Sequence, residues 1–172
     1  TDERTRFTSE HCRITATLAD ALPNFHWSMI IGMADDQPPD IADRVIVRQA
    51  LTYCEKPLVF CCKDTNSERD IYEMALLICG GQDNFEKAPT IVQYSEPISP
   101  LQYYDPAVDK MIFTVEHCIP LINFPAPQAC GSAPATFAGT IVQGSAESLS
   151  GLVLAQIVRP GAPFIYDYFP TI

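Results

Sequence analysis

Two rhythms of apolar and polar positions alternate along the chain. Short apolar runs opened by proline recur at residues 57–62, 89–94, 120–124 and 163–166 (Pro-Leu-Val-Phe-Cys-Cys, Pro-Thr-Ile-Val-Gln-Tyr, Pro-Leu-Ile-Asn-Phe and Pro-Phe-Ile-Tyr). Runs of this length, rich in branched and aromatic residues, predict strands, and the alternating segment 24–31 before Gly32 predicts one more. Between the runs, apolar residues at three- and four-residue steps predict helices. The first is capped by Thr8 or Ser9 and ended by Pro23. The second is capped by Asp40 and carries Ile41, Val45, Ala50 and Leu51 toward Lys56. The third opens at Asn66 or Ser67, runs through Ile71, Met74, Ala75, Leu77 and Ile78, and closes at Gly80-Gly81. The fourth is capped by Asp105, with Pro106 at its first position, and reaches about Cys118.

Residues 131–161 predict the longest helix, entered from a Gly-Ser-Ala-Pro loop and stopped by Pro160 and Gly161. Val142, Ala146, Leu149, Val153 and Ile157 form an apolar stripe on it, expected to face a core. Gly144, Ser148, Gly151 and Ala155 form a second stripe of small side chains. A glycine inside a helix costs ~1 kcal/mol against alanine, so two on one line point to close approach by a neighbouring backbone.

Strand and helix alternating at a step of ~30 to 40 residues make a βα array with a parallel sheet, an α/β fold. Spacing alone leaves two forms open: a small open sheet, or part of an eight-unit barrel, which typically needs ~250 residues. The chain has 172 residues, 47% of them apolar, enough for one core and a single domain.

The net charge of -10 argues against nucleic acid or an anionic membrane as principal partner, because both reward clustered Lys and Arg. No run approaches the ~20 apolar residues of a membrane helix, and the N-terminal residues lack the shape of a signal peptide, so a cytoplasmic location is expected. The seven cysteines are odd in number and contain no Cys-x-x-Cys pair, which predicts free thiols. His11-Cys12, Cys61-Cys62 and His117-Cys118 are the candidates for a thiolate metal site, but no three obviously converge, and no metal is expected.

Several phrases carry a family resemblance: Gly-Ser-Ala-Pro-Ala-Thr-Phe-Ala-Gly at 131–139, Ser-Ala-Glu-Ser-Leu at 145–149, and Gln-Ile-Val-Arg-Pro-Gly-Ala-Pro-Phe-Ile-Tyr at 156–166. Gly-Gly-Gln-Asp-Asn-Phe at 80–85 and Ser-Glu-Pro-Ile-Ser-Pro-Leu at 95–101 add to them. Together they resemble the trimethylamine methyltransferase family, from about Asn24 to Thr171. The resemblance implies about half of a TIM-type (β/α)8 barrel, residues 1–172 being a single partial domain and an excerpt of a longer chain. It implies transfer of a methyl group from trimethylamine or a betaine to the Co(I) of a corrinoid carried by a partner protein. No cofactor is then expected on this chain, and a homo-oligomer is. One branch of the family uses pyrrolysine in a part of the barrel beyond Ile172.

In such a barrel the working face lies at the carboxyl ends of the strands. Glu96, leaving the strand at 89–94 and held by Pro97, is the candidate catalytic carboxylate, able to offset the charge of an ammonium group. If Val92, Ile122 and Ile165 face the helices, then Gln93, Asn123 and Tyr166 point inward with Cys62 and His26, and His26, Gln93, Asn123 and Tyr166 are the candidate substrate-binding residues. Rings that could cage a methylated ammonium are Phe25, Trp27, Tyr94, Tyr103, Tyr104, Phe124, Tyr166, Tyr168 and Phe169. Glu147 lies about eleven residues into the long helix, roughly 17 Å below the working face, where a structural hydrogen bond or subunit contact is expected. The Gly131-Ser-Ala-Pro134 loop is at the right end to meet substrate or partner. Two rival readings stay open at this stage: a zinc-dependent thiol or alcohol methyltransferase, and a non-catalytic amine-binding fragment.

Overall fold

The computed structural model describes residues 4–171. The elements in order are α1 (Ser9–Ala21), β1 (Ser28–Met29), α2 (Ala42–Tyr53), β2 (Leu58–Phe60), α3 (Thr65–Cys79), α4 (Gln82–Lys87), β3 (Ile91–Ser95), α5 (Asp105–Glu116), β4 (Leu121–Asn123), α6 (Phe137–Val158) and β5 (Phe164–Tyr166). The strands follow chain order in the sheet, with β1–β2, β3–β4 and β4–β5 paired in parallel. This is the expected α/β array of βα units, and the described strands do not close into a barrel. The chain divides into two compact units, Thr1–Val92 and Gln93–Ile172.

Proline opens three of these strands for one reason. It has no N–H to give to a ladder, so it suits the residue just before the ladder begins, where only its carbonyl is needed. Pro57 accepts from the Ser28 amide at 2.9 Å, Pro120 from Gln93 at 2.9 Å and Pro163 from Leu121 at 3.1 Å.

In the first unit, α1 is capped by Thr8, whose hydroxyl accepts from the His11 amide while its own amide donates to the His11 ring. The expected cap of α2 is corrected: Ile41 holds that position with no side-chain bond, and Asp40 pairs with Lys63 at 2.7 Å. The cap of α3 is Asp64, accepting from the Ser67 amide at 2.9 Å, rather than Asn66 or Ser67. Gly80 ends α3 at φ 75, the left-handed region where a side chain is penalised, and α4 follows at once. The expected strand at 24–31 shrinks to Ser28–Met29, and Ile46, Val47, Leu58, Phe60, Ile71 and Phe85 are buried in this unit's core.

In the second unit, α5 and α6 pack on β4, and α6 also on β5. Tyr104 takes the cap of α5 with no side-chain bond, which displaces Asp105 into the helix. A core of Met111, Val115, Leu121, Ala155 and Ala162 joins α5, β4 and α6. The two stripes of α6 exchange the roles expected of them. Val142, Val153 and Ile157 are exposed at 68%, 57% and 75%, whereas Gly144, Ser148, Gly151 and Ala155 are buried.

Close approach is the cause. A Cβ on Gly151 would lie 2.6 Å from Asn123 Cγ and 2.8 Å from its Cβ, and one on Gly144 would lie 2.9 Å from the Tyr168 ring. Contrary to the reading of hydropathy alone, α6 is long and apolar enough to cross a membrane. Its glycine and serine side against β4 is that of a helix packed on a sheet.

A Gly151→Ala substitution is therefore expected to lower the free energy of unfolding by about 1–3 kcal/mol, because overpacking against a side chain rooted in a strand outweighs the gain in helix propensity. Val153→Ala on the exposed face should stay within about 0.5 kcal/mol of wild type. Urea unfolding of both variants checks the contrast.

Candidate functional site

Register and alternation divide the residues of β3, β4 and β5 between two faces. Ser95 pairs with Asn123 and Asn123 with Tyr166, so these three share a face, as do Gln93 and Leu121. Leu121 belongs to the core with α5 and α6, and the Asn123 amide donates to the carbonyl of Glu147 in α6 at 2.9 Å. The Tyr166 hydroxyl is 3.0 Å from Ser145 Oγ, also in α6. Gln93, Asn123 and Tyr166 thus lie on the helix-facing side, the reverse of the inward orientation expected from their polarity. The sequence signal was ambiguous because β4 and the residue after it read Leu-Ile-Asn-Phe, with apolar residues on both faces as in strands covered on two sides. His26 is exposed in the loop before β1, at the amino end of its strand, so it too departs from the expected position.

The opposite face of this unit is aromatic. Tyr94 and Phe124 have ring centroids 5.8 Å apart, and Phe124 and Phe169 stack at 6.4 Å. The row crosses the carboxyl ends of β3 and β4 and continues into the segment after β5. Backbone pairing holds that segment: the Phe169 amide donates to Pro125 at 2.9 Å and the Thr171 amide to Pro127 at 3.0 Å. Glu96 stands at the end of the row, two residues beyond Tyr94, whose hydroxyl donates to Glu96 Oε2 at 3.3 Å. Glu96 is exposed, Tyr94 and Phe124 are half-buried, and Phe169 is 58% exposed. A short line of ring faces ending in an accessible carboxylate can take up a cation bearing apolar groups. Of the other rings, Tyr166 and Tyr168 meet edge to face, with Tyr166 bonded to α6 and Tyr168 beside Gly144.

Behind this face sits a polar hub centred on Glu147, 1% exposed. Its Oε2 accepts from Ser99 Oγ at 2.7 Å, and its Oε1 accepts from the Leu101 amide and from Gln143 Nε2, each at 2.9 Å. Tyr103 joins the hub through Asn123 Nδ2, which donates to its hydroxyl at 2.7 Å, and through Ser150 Oγ at 3.1 Å. Gln93 Oε1 and Asn123 Oδ1 are buried with no hydrogen-bond partner. Glu147 stands nearer the strand ends than residue counting along the helix places it. α6 has 22 residues, roughly 33 Å at the helical rise, against roughly 10 Å for the three residues of β4. Its first turns overhang the sheet, and Glu147 is one turn from Gly151, which meets Asn123 at the strand end. Among the described residues no group of three His, Cys, Asp or Glu is placed to hold a metal ion.

A βα array with an aromatic and acidic rim at its strand ends is the class of site in view, and comparison with known proteins gives it a family. The family model for trimethylamine methyltransferase (MTTB) matches residues 1–172, and the chain belongs to that family. It is 29% identical over 155 residues to glycine betaine methyltransferase of Desulfitobacterium hafniense (strain Y51), covering 88% of this chain and 32% of that protein. It is 36% identical over 92 residues to trimethylamine methyltransferase MttB of Methanosarcina barkeri (strain Fusaro / DSM 804), covering 54% and 19%. With the proline betaine:corrinoid methyltransferase of Eubacterium limosum it shares 32% identity over 83 residues, covering 48% and 17%. The matched region thus spans a third or less of each of these relatives.

Burial raises the Tyr103 phenol above its ordinary value, against the lowering effect of its bonds to Ser150 and Asn123. The folded protein keeps a proton that the unfolded chain sheds near pH ~10, so this contribution to stability is full below pH ~10 and is lost as pH rises through the folded value. Tyr103→Phe should flatten the fall of unfolding free energy above pH ~10, as measured by urea titrations across the alkaline range.

Proposed function

We propose that this chain supplies the amine-binding rim of a methyltransferase that takes a methyl group from a tertiary or quaternary methylated amine, trimethylamine or a betaine, and passes it to a corrinoid on a partner protein. Family membership supports the methyl transfer, and the names of the relatives carry the betaine, trimethylamine and corrinoid chemistry. The observation that carries the reading to this chain is the row Tyr94, Phe124 and Phe169 ending at Glu96.

The chemistry asks little of the protein beyond placement. The C–N bond breaks with its electron pair left on nitrogen, and the corrinoid's Co(I), when its protein is bound, supplies the nucleophile that takes the methyl group. The ring faces hold the N-methyl groups by cation–π attraction, worth roughly 0.5–2 kcal/mol each. The Glu96 carboxylate balances the positive charge from one side, and the Tyr94 hydroxyl orients that carboxylate. Holding the nitrogen against a fixed surface keeps one methyl group pointed outward in the geometry of displacement, the main gain available when the substrate nitrogen is already positively charged and can leave as a neutral amine. A tertiary amine needs protonation or an adduct in addition, which makes the quaternary amine the simpler substrate for these residues.

With the protein produced from its own gene, calorimetry against glycine betaine and tetramethylammonium should detect binding. Phe124→Ala should weaken it by about 1 kcal/mol, and Glu96→Gln by a similar amount. Wild-type affinity in both variants would remove the rim from the reading. Binding without methylation of an added corrinoid protein would favour an amine-binding module over an enzyme.

A further inference from the structure

We propose that Glu147 is a positioning residue for this site, setting where Glu96 stands by pinning the loop that follows it. The proposal rests on the reading of Glu96 as the carboxylate that faces the amine.

Glu147 is the one ionisable residue in α6, yet it is almost wholly buried and spends both carboxylate oxygens on its neighbours. Two of its three donors come from one short loop, Ser99 through its hydroxyl and Leu101 through its amide. That loop is closed on itself by reciprocal bonds between Ile98 and Gln102, at 2.7 and 3.0 Å. Glu147 therefore grips the tip of a closed turn rather than a strand of loose chain. Leu101 has φ 56, a conformation that non-glycine residues rarely adopt, and the amide held in it is the one Glu147 receives.

The turn is coupled to Glu96 through Pro97, which is buried and whose ring confines the backbone of the residue before it. Only Pro97 and Ile98 separate Glu96 from Ser99, so a shift of the turn is carried to the carboxylate and to the Tyr94 hydroxyl bonded to it. Glu147 is in turn fixed in depth. Its carbonyl accepts from Asn123 at the end of β4, where Gly151 lets helix and strand meet. The path runs from the strand end through the helix to the turn and back to the rim, without Glu147 touching the aromatic face.

Hydrogen exchange of the segment 95–104 and calorimetric affinity for tetramethylammonium, measured on the protein from its own gene, test the proposal. Glu147→Ala leaves the Ser99 hydroxyl and the Leu101 amide without their acceptor, while Gln143 keeps its bond to the Ser132 carbonyl, and should raise exchange at the Leu101 amide by about tenfold or more and weaken binding about fivefold. Glu147→Gln should restore both, because its amide oxygen can accept from Leu101 and Gln143 while its amide nitrogen donates to the Ser99 hydroxyl. Should Glu147→Ala fail to fold, Ser99→Ala, which removes one bond, is expected to show the same changes to a smaller degree. A loosened segment with wild-type affinity would make Glu147 merely structural, and a Gln variant as impaired as the Ala variant would mean that its charge acts directly; either overturns the proposal. A wild type that does not hold tetramethylammonium would instead sink the reading of the rim, and this proposal with it.

Discussion

The second unit depends on how closely α6 lies against β4. Where Gly151 faces Asn123 there is no room for even a methyl group, and the backbone of the helix comes within reach of a strand side chain. That approach turns Asn123 into a fastener, since its side-chain amide nitrogen donates to the helix carbonyl of Glu147 and Ser148 Oγ donates back to the backbone carbonyl of Asn123 at 3.2 Å. A buried amide with no partner would be costly, so small residues along the helix and a polar residue at the strand end are parts of one arrangement.

Depth follows from the same contact. Because α6 is anchored at Gly151 and is far longer than the strand beneath it, its first turns stand above the strand ends, beside Pro127 and Tyr168. Glu147 is thereby raised to the level of the turn at 98–102. The helix-facing side carries the hydrogen bonds, and the other side is left to Tyr94, Phe124 and Phe169 with Glu96. The buried hydrogen bonds thus lie behind the sheet and the accessible rings in front of it.

Most of the fold was legible without coordinates. Proline before each apolar run announced the strands, since a residue that cannot donate belongs at the ladder's threshold, and the glycines in α6 announced a close neighbour. Cap positions were less legible: Asp40, Asp105 and Ser67 each had the right chemistry, but only the backbone path decides which residue stands at the first turn. The face assignments inverted. Val142, Leu149, Val153 and Ile157 have the periodicity of a core stripe yet lie outside, because the sheet selected the smaller stripe that lets it come nearer.

The same inversion governs the site. From the chain alone, Glu96 could be put at a strand's carboxyl end and the rings Tyr94, Phe124 and Phe169 near such ends, because strand direction and βα order follow from local pattern. Which side of a strand a residue occupies did not follow: a parallel strand is apolar on both faces, and polarity then points as readily toward a helix as toward a cavity. Gln93, Asn123 and Tyr166 were sorted only by register and by what α6 presents to them. The order of elements and the chemistry available at their ends are properties of the sequence. Facing and depth belong to the tertiary structure, since both are set by how near two backbones can come.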